Sequence, residues 1–219
     1  SINYKDETTL TLEAITSVGY GKNKIYNVED ALGGSANDTL IGNNSKNILD
    51  GGAGDDILFG FGGIGNILVG GTGNDTILGL LGGDIIYGGS VTYTVARDGI
   101  ATSTVDGSDW VDYSYIADTR AVNIDLNQNK AEQIGTTSNA DSLIYIQNAK
   151  GTKNNDILKG DDDFNITNSL LGYKGDDSFI VSKGSDYIDG GDGFNTIDYS
   201  SVDLGNGGNR VIVDLGLSK

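Results

Sequence analysis

The chain has 219 residues, with 35 glycines, 31 acidic residues against 14 lysines plus arginines, and a net charge of -17. This charge argues against nucleic acid and anionic membrane surfaces as partners, because both are polyanions. Cysteine, histidine, proline and methionine are absent, which excludes disulfides and thiolate catalysis and removes the commonest transition-metal ligands. The remaining chemistry is the binding of hard cations through oxygen ligands.

The acidic residues are almost all aspartate: four are glutamate, so the other 27 are aspartate. Aspartate favours turns, because its short carboxylate binds nearby backbone N–H groups. Aliphatic and aromatic residues recur at even spacing, which a disordered acidic tail lacks. No apolar run reaches 18 residues, so no membrane span is predicted. The first residues do not resemble a signal peptide, and we expect the chain to begin inside a longer protein.

The first predicted elements are the end of a β-rich linker block (1–32) and a nine-residue repeat that begins at residue 33. Residues 51–59 read GGAGDDILF and residues 70–78 read GGTGNDTIL. Both fit the pattern G-G-x-G-x-D-x-U-x, in which U is a large aliphatic residue. Degenerate copies in the same register surround these two, and they extend the array to residue 112.

An insertion interrupts this array at residues 90–105. The inserted residues alternate β-branched with other types around Asp98-Gly99, which predicts a β-hairpin with a type I′ turn. Removing them joins Gly88-Gly89 to the sequence DGSDWVD (106–112), which restores the repeat pattern.

A second array is predicted at residues 151–198, after a linker or capping block at 113–150. The segment VDYS (111–114) recurs as IDYS (197–200), so residues 199–219 are interpreted as the start of a third, truncated linker block. We therefore expect an alternation of linker blocks and repeat arrays, cut from a longer series.

The repeats resemble the RTX (repeats-in-toxin) nonapeptide family of secreted calcium-binding proteins. The resemblance implies an all-β fold, a right-handed parallel β-roll (β-solenoid) with stacked Gly/Asp turns, here carrying the inserted β-hairpin and β-rich linker blocks. In that fold position six supplies a carboxylate and position eight an inward aliphatic side chain. Ca²⁺ ions, several in number, lie mainly between turns one coil apart and take carboxylate and backbone carbonyl oxygens.

The resemblance also implies which residues bind calcium. We hypothesise that calcium fills the edge with aspartate at every sixth position and that the edge bearing Asn47 and Asn66 is sparse. The candidate metal ligands and turn glycines are Asp38, Asp56, Asp75, Asp109, Asp156, Asp177, Asp84, Asp186, Gly33, Gly51, Gly52, Gly54, Gly70, Gly71, Gly73, Gly175 and Asn195.

Other interpretations of these residues stay open. The aspartates and asparagines could simply cap turns, above all at the degenerate repeats. The acidic run Asp161–Asp163 is either a solvated loop or the cradle of an extra ion. Trp110 and Tyr113 could stack on a sugar, although core packing is favoured. Adjacent acids such as Asp55-Asp56 superficially suggest glycosidase carboxylates, but the repeat register explains them.

The eighth positions predict a core ladder of Leu40, Leu49, Leu58, Leu68, Ile77 and Ile86. Positions seven and nine should face outward, yet in the first array they are too apolar for a bare surface. We expect residues 1–32, the 113–150 block, the hairpin or an adjacent copy to cover part of that surface. The apolar set is Ile57, Phe59, Ile67, Val69, Leu78, Ile85 and Tyr87.

The function that the resemblance implies is a non-catalytic, calcium-folded structural module of a large secreted or surface-attached bacterial protein, of adhesin, biofilm-matrix or surface-layer type. The alternative is the C-terminal accessory module of a secreted enzyme such as an alginate epimerase, protease or lipase. Such proteins pass a type I secretion channel unfolded and fold in extracellular calcium. Expected partners are calcium and neighbouring modules, with a cell-surface glycan or protein reached through other domains.

Overall fold

The computed structural model describes residues 9–12, 23–26, 28–79, 81–93, 100–104, 107–116, 119–136, 139–163 and 165–200. This part of the chain is all β and contains no helix, hence none long and apolar enough to cross a bilayer. In chain order its strands are β1 (Thr9–Leu12), β2 (Asn23–Tyr26), β3 (Asp30–Leu32), β4 (Thr39–Ile41), β5 (Ile48–Ala53), β6 (Ile57–Phe59), β7 (Ile67–Thr72), β8 (Thr76–Leu78), β9 (Ile85–Tyr87), β10 (Val91–Tyr93), β11 (Ile100–Ser103), β12 (Trp110–Asp112), β13 (Val122–Asp125), β14 (Lys130–Gln133), β15 (Asp141–Ile144), β16 (Asn148–Lys150), β17 (Ile157–Lys159), β18 (Ser169–Leu171), β19 (Ser178–Ile180), β20 (Tyr187–Asp189) and β21 (Thr196–Asp198).

Two long sheets form the body of a parallel β-roll of about eight coils. Within the described chain one sheet has seven strands in the order β20-β18-β16-β12-β8-β6-β4. The other has ten in the order β21-β19-β17-β13-β14-β15-β9-β7-β5-β3. The chain alternates between the sheets, so one coil consists of a strand from each and two turns. This confirms the predicted all-β parallel roll.

The eighth position of each repeat builds the core, because successive residues of a strand point to opposite faces and the middle residue points inward. Leu40, Leu58 and Ile77 align across neighbouring strands of the seven-stranded sheet. All six predicted core residues are buried, with exposed fractions of 3% or less. The core ladder predicted from the repeat register is therefore confirmed.

The inserted segment forms the antiparallel pair β10–β11 and leaves the roll intact. After it, Trp110 aligns with Thr76 of β8, so the coil resumes one strand further along the sheet. Val91, at the start of the insertion, packs against the buried outward residues Ile48, Ile67 and Val69, and so covers part of the apolar outer surface. The predicted turn at Asp98-Gly99 lies outside the described residues.

The block between the arrays contributes strands to both sheets. β16 lies between β12 and β18 in the seven-stranded sheet. In the ten-stranded sheet β15 pairs with β9, β13 pairs with β17, and β14 joins β15 and β13 in antiparallel fashion. Strands from both arrays thus share two continuous sheets, while the domain limits remain a prediction.

Candidate metal centre

One edge of the roll carries a ladder of aspartates, each at the turn that precedes a strand of the seven-stranded sheet. In Asp56, Asp75 and Asp109, Oδ1 accepts the backbone N–H of the corresponding aspartate one coil earlier. Asp38 donates to Asp56 at 2.6 Å, Asp56 to Asp75 at 2.7 Å, and Asp75 to Asp109 at 2.9 Å. We call Asp38, Asp56, Asp75 and Asp109 the first carboxylate ladder. The backbone N–H of Asp109 donates to Oε1 of Gln147 at 2.7 Å.

The second oxygen of these carboxylates faces a narrow space beside the first glycine of the same repeat. A Cβ placed on Gly51 would collide with Oδ2 of Asp56 and with the carbonyl oxygen of Gly70 in the next coil. The same convergence of carboxylate and carbonyl oxygens recurs at Gly33 and at Gly70. Glycine is required at these positions because any side chain would fill the space between the oxygens.

Two of these inner oxygens are buried without a hydrogen-bond donor. Among the described residues, Oδ2 of Asp56 and Oδ2 of Asp177 are buried and accept no hydrogen bond. A buried carboxylate oxygen without a partner is unfavourable, since its desolvation is not offset. Such an oxygen, beside a carbonyl oxygen, fits a bound cation.

The available ligands fit calcium better than zinc. Within the described part of the chain, no group of three or more acidic, histidine or cysteine side chains could hold a metal. A cation at the ladder would therefore take carboxylates from stacked turns and complete its shell with backbone carbonyls. Calcium accepts six to eight oxygen ligands of these kinds in flexible geometry.

The opposite edge of the first array uses asparagine instead of aspartate. The backbone N–H of Asn47 donates to Oδ1 of Asn66 at 2.8 Å, and that of Asn66 to Oδ1 of Asp84 at 2.8 Å. The asparagine amides donate to carbonyl oxygens, from Asn47 to Glu29 at 3.0 Å and from Asn66 to Gly63 at 3.3 Å. Because these asparagines carry no negative charge, this edge offers a cation fewer carboxylates than the first carboxylate ladder, as the hypothesis of a sparse edge assumes.

In the second array the carboxylates lie at the turns that precede strands of the ten-stranded sheet. The backbone N–H of Asp156 donates to Asp177 at 2.8 Å, and that of Asp177 to Oδ1 of Asn195 at 2.9 Å. We call Asp156, Asp177 and Asn195 the second ladder. Thr152 donates to Asp156 through its hydroxyl at 2.9 Å and its backbone N–H at 2.5 Å. Asp156 is thus better satisfied than Asp177.

The remaining predicted ligand, Asp186, lies on the other edge of the second array. Its Oδ1 accepts the backbone N–H of Asn168 at 3.1 Å, and its Oδ2 accepts the hydroxyl of Ser182 at 2.6 Å. Both oxygens therefore have donors. The acidic run nearby is tied locally, since the backbone N–H of Asp163 donates to Asp161 at 2.6 Å and Lys159 pairs with Asp162 at 3.2 Å.

The glycines of positions two and four are needed for backbone conformation. Gly52 and Gly54 have φ of 97° and 117°, a region that residues with a Cβ rarely adopt. The same holds for the other predicted glycines of these positions, Gly71, Gly73 and Gly175.

Burial raises the pKa of several ladder carboxyls, since it disfavours the charged form. The pKa of Asp56 is raised to about 6, chiefly by burial, and the charges of Asp75 and Asp38 add to this. Burial likewise raises the pKa of Asp156 to about 6 and that of Asp84 to about 6, with a contribution from Asp141. Carboxyls so placed are electrostatically favourable for a cation.

Sequence reasoning missed two residues of the linker block that continue the ladders. Gln147 receives the N–H of Asp109, as described above. Asp141 accepts the backbone N–H groups of Asp84 at 2.9 Å and Gly82 at 3.2 Å. Neither residue lies in a recognisable nonapeptide, so the repeat register held no signal for them.

The residues at position five form a separate row of side chain to backbone hydrogen bonds, which sequence reasoning also missed. The backbone N–H of Asp55 donates to Oδ1 of Asn37 at 3.0 Å, and that of Asn74 to Oδ1 of Asp55 at 2.9 Å. These bonds run in the opposite direction along the roll to those of position six. The signal available was the recurrence of Asn or Asp directly before the position-six residue.

Comparison with known families agrees with this geometry. The family model of the RTX calcium-binding nonapeptide repeat, in four copies, matches residues 32–64, 61–94 and 165–197. These segments are RTX calcium-binding nonapeptide repeats. No curated protein matches it. The matched segments contain the RTX turns of both ladders except those of Asp109 and Asp156, and the RTX repeat implies a calcium-binding structural module.

Proposed function

We propose that this RTX module folds around calcium outside the cell, as a non-catalytic structural part of a large secreted or surface-attached bacterial protein of adhesin, biofilm-matrix or surface-layer type. The observation that carries the proposal is the buried Oδ2 of Asp56 beside the carbonyl oxygen of Gly70. Two oxygens without a hydrogen between them repel each other, so a cation between the turns would stabilise the fold.

The ligands that we propose are the first carboxylate ladder together with Asp156 and Asp177 of the second. Asp84, Asp186 and Asn195 are proposed as weaker ligands, because fewer carboxylates surround them. Bound calcium would offset the repulsion between the negative charges of these stacked carboxylates. Glycine carbonyls of adjacent turns, such as that of Gly70, would complete the oxygen shell.

The expected energetics suit an extracellular switch. A site with Kd of about 0.1 mM stabilises the fold by roughly 1.4 kcal/mol at about 1 mM free calcium. Several such sites together are comparable with the whole stability of a small domain, roughly 5–15 kcal/mol. At the far lower calcium concentration of a cytoplasm this stabilisation would vanish, and the chain would stay unfolded until it reached the outside.

The experiment is far-UV circular dichroism of the full chain during a calcium titration from a chelated start. A cooperative transition from coil to β structure, which magnesium at the same concentration does not produce, would support the proposal. A spectrum that is already β-rich in chelator and unmoved by calcium would contradict it.

A further inference from the structure

A groove on the outside of the seven-stranded sheet combines lysines with tyrosines. Its larger part, a cleft of about 360 Å³, is lined by Asp112, Ser114, Tyr115, Lys150, Lys153 and Tyr173. A second cavity of about 190 Å³ shares Lys150 and Tyr173 and extends past Leu171 to Asp189. The two cavities are adjacent, since they share Lys150 and Tyr173, and we call them together the groove. The larger one has the volume of a small-ligand site.

Three lysines lie around Tyr173, in a chain whose net charge is -17. The Nζ atoms of Lys150 and Lys174 lie 4.7 and 5.9 Å from the centre of the Tyr173 ring, within the range of cation–π attraction. Lys153 lines the cleft and is exposed. The Tyr173 ring therefore holds the ammonium group of Lys150 at the wall of the cleft, where an anionic ligand could reach it.

Tyr173 adopts a strained backbone to occupy this position. It is the second residue of its nonapeptide, where three other repeats have Gly52, Gly71 and Gly191. Its φ is 76°, a left-handed conformation that glycine adopts without strain. Tyr173 thus places a ring where those repeats have no side chain.

Tyr115 supplies an apolar platform at the other end of the cleft. Its side chain is 61% exposed, and its ring centre lies 6.4 Å from that of Phe59, which supports it from one side. Asp112, which pairs with Lys150 at 3.5 Å, and the hydroxyl of Ser114 offer hydrogen-bond partners for a polyhydroxylated ligand.

We propose that this groove binds an acidic saccharide, a short chain of sugar rings bearing carboxylates. A ring would stack on Tyr115, its carboxylate would pair with Lys150 and Lys153, and its hydroxyls would contact Asp112 and Ser114. A neutral sugar would offer no negative charge to Lys150 and Lys153, and a purely inorganic anion would not use the tyrosine.

The test is isothermal titration of the folded, calcium-loaded full chain with trigalacturonate, and in parallel with the neutral maltotriose. We expect the acidic trimer to bind at least about 10-fold more tightly, because charge-assisted hydrogen bonds are worth about 1.5–3 kcal/mol. K153Q should weaken binding about 3- to 10-fold, and Y115A about 2- to 10-fold.

The matched controls are K46Q, at an exposed lysine outside the groove, and Y187A, at a tyrosine that is 52% exposed and does not line it. Both should bind as the unmodified chain does. Equal affinity for the two trimers would overturn the proposal. So would unchanged binding by the K150Q/K153Q double variant, since the carboxylate would then sit on protein-bound calcium. Absence of binding in protein that circular dichroism shows to be folded would overturn it as well.

Discussion

At the scale of single residues, the two oxygens of each ladder aspartate have different surroundings. Oδ1 accepts a backbone N–H of the preceding coil, and this bond would survive replacement of the acid by its amide. Oδ2 lies against a glycine and a carbonyl oxygen. Asn66 shows the alternative on the other edge, where the amide donates to Gly63. At Asp56 and Asp177, where Oδ2 is buried without a donor, a cation would take the place that an amide donor takes at Asn66.

The substitution Asp56→Asn separates these two roles. The amide keeps the Oδ1 acceptor and can donate to a carbonyl oxygen, but it removes the negative charge of one proposed calcium ligand. We expect the midpoint calcium concentration for folding to rise about 3- to 10-fold, while the protein in chelator becomes no less stable. The measurement is the calcium titration followed by circular dichroism.

The matched control is Asp55→Asn, an isosteric change at the neighbouring position of the same turn. Asp55 accepts the N–H of Asn74 through Oδ1, and an amide oxygen does the same. Its calcium midpoint should stay within about 2-fold of the unmodified chain, since exposed charges interact weakly. Equal effects of the two substitutions would contradict the assignment of calcium to position six.

The raised carboxyl pKa values predict a pH dependence. In the metal-free fold the pKa of Asp56, Asp84 and Asp156 is raised to about 6, against about 3.9 in the unfolded chain. Between these values the folded state binds more protons, so its metal-free stability increases as the pH falls from about 7 to 4.

Calcium binds the ionised carboxyls, and the calcium-free chain is expected to be unfolded, with carboxyl pKa values of about 3.9. The midpoint calcium concentration should therefore be constant between about pH 6 and 8, and it should rise only as the pH approaches about 4. Calcium titrations at a series of pH values between about 4 and 8 check this. A midpoint that changes between about pH 6 and 8 would contradict it.

At the scale of elements, the linker block acts as part of the roll. Tyr113, which follows β12, is fully buried, and its hydroxyl donates to Oδ2 of Asp141 at 2.8 Å. Asp141 at the start of β15 in turn receives the N–H of Asp84 from the first array. Burial raises the pKa of both Asp141 and Tyr113, which fits a tightly enclosed pair. The carboxylate of Asp141 thus connects the linker block to the first array through its hydrogen bond to Asp84.

Tyr113→Phe should destabilise the calcium-loaded protein by about 1–3 kcal/mol, because Oδ2 of Asp141 would be left buried without a donor. Chemical denaturation at saturating calcium measures this. Tyr115→Phe is the control: this exposed tyrosine should change the free energy of unfolding by less than about 0.5 kcal/mol. A loss no larger in Tyr113→Phe than in this control would show that the buried hydrogen bond contributes nothing.

At the scale of the whole molecule, the carboxylate-rich edge changes sides. The first carboxylate ladder precedes strands of the seven-stranded sheet, whereas Asp156 and Asp177 precede strands of the ten-stranded sheet. The block between the arrays ends with β16 in the seven-stranded sheet. The first strand of the second array, β17, therefore lies in the ten-stranded sheet, and Asp156 precedes it. The two ladders are nevertheless joined through continuous sheets.

Because the sheets are continuous, we expect the described roll to fold in one calcium-driven transition. Asp75→Asn in the first ladder and Asp177→Asn in the second should each shift that single transition to higher calcium. Circular dichroism together with the fluorescence of Trp110, which lies in the last repeat of the first array, should report the same midpoint. Two resolved transitions, each moved by one substitution, would show instead that the arrays fold separately.

From the sequence alone, the nine-residue spacing determined the core ladder from Leu40 to Ile86, because one inward residue recurs in each repeat. The resemblance of the repeats to the RTX family implied the parallel roll and the stacking of the position-six aspartates. The spacing also located the inserted hairpin, since Trp110 continues the register of Thr76. Only the tertiary structure decided that Asp141 continues the ladder of Asp84, 57 residues away in the chain. The same is true of the change of edge and of the groove around Tyr173. All three features depend on contacts between residues that the nine-residue repeat does not relate. Packing of the linker block against the arrays brings those residues together.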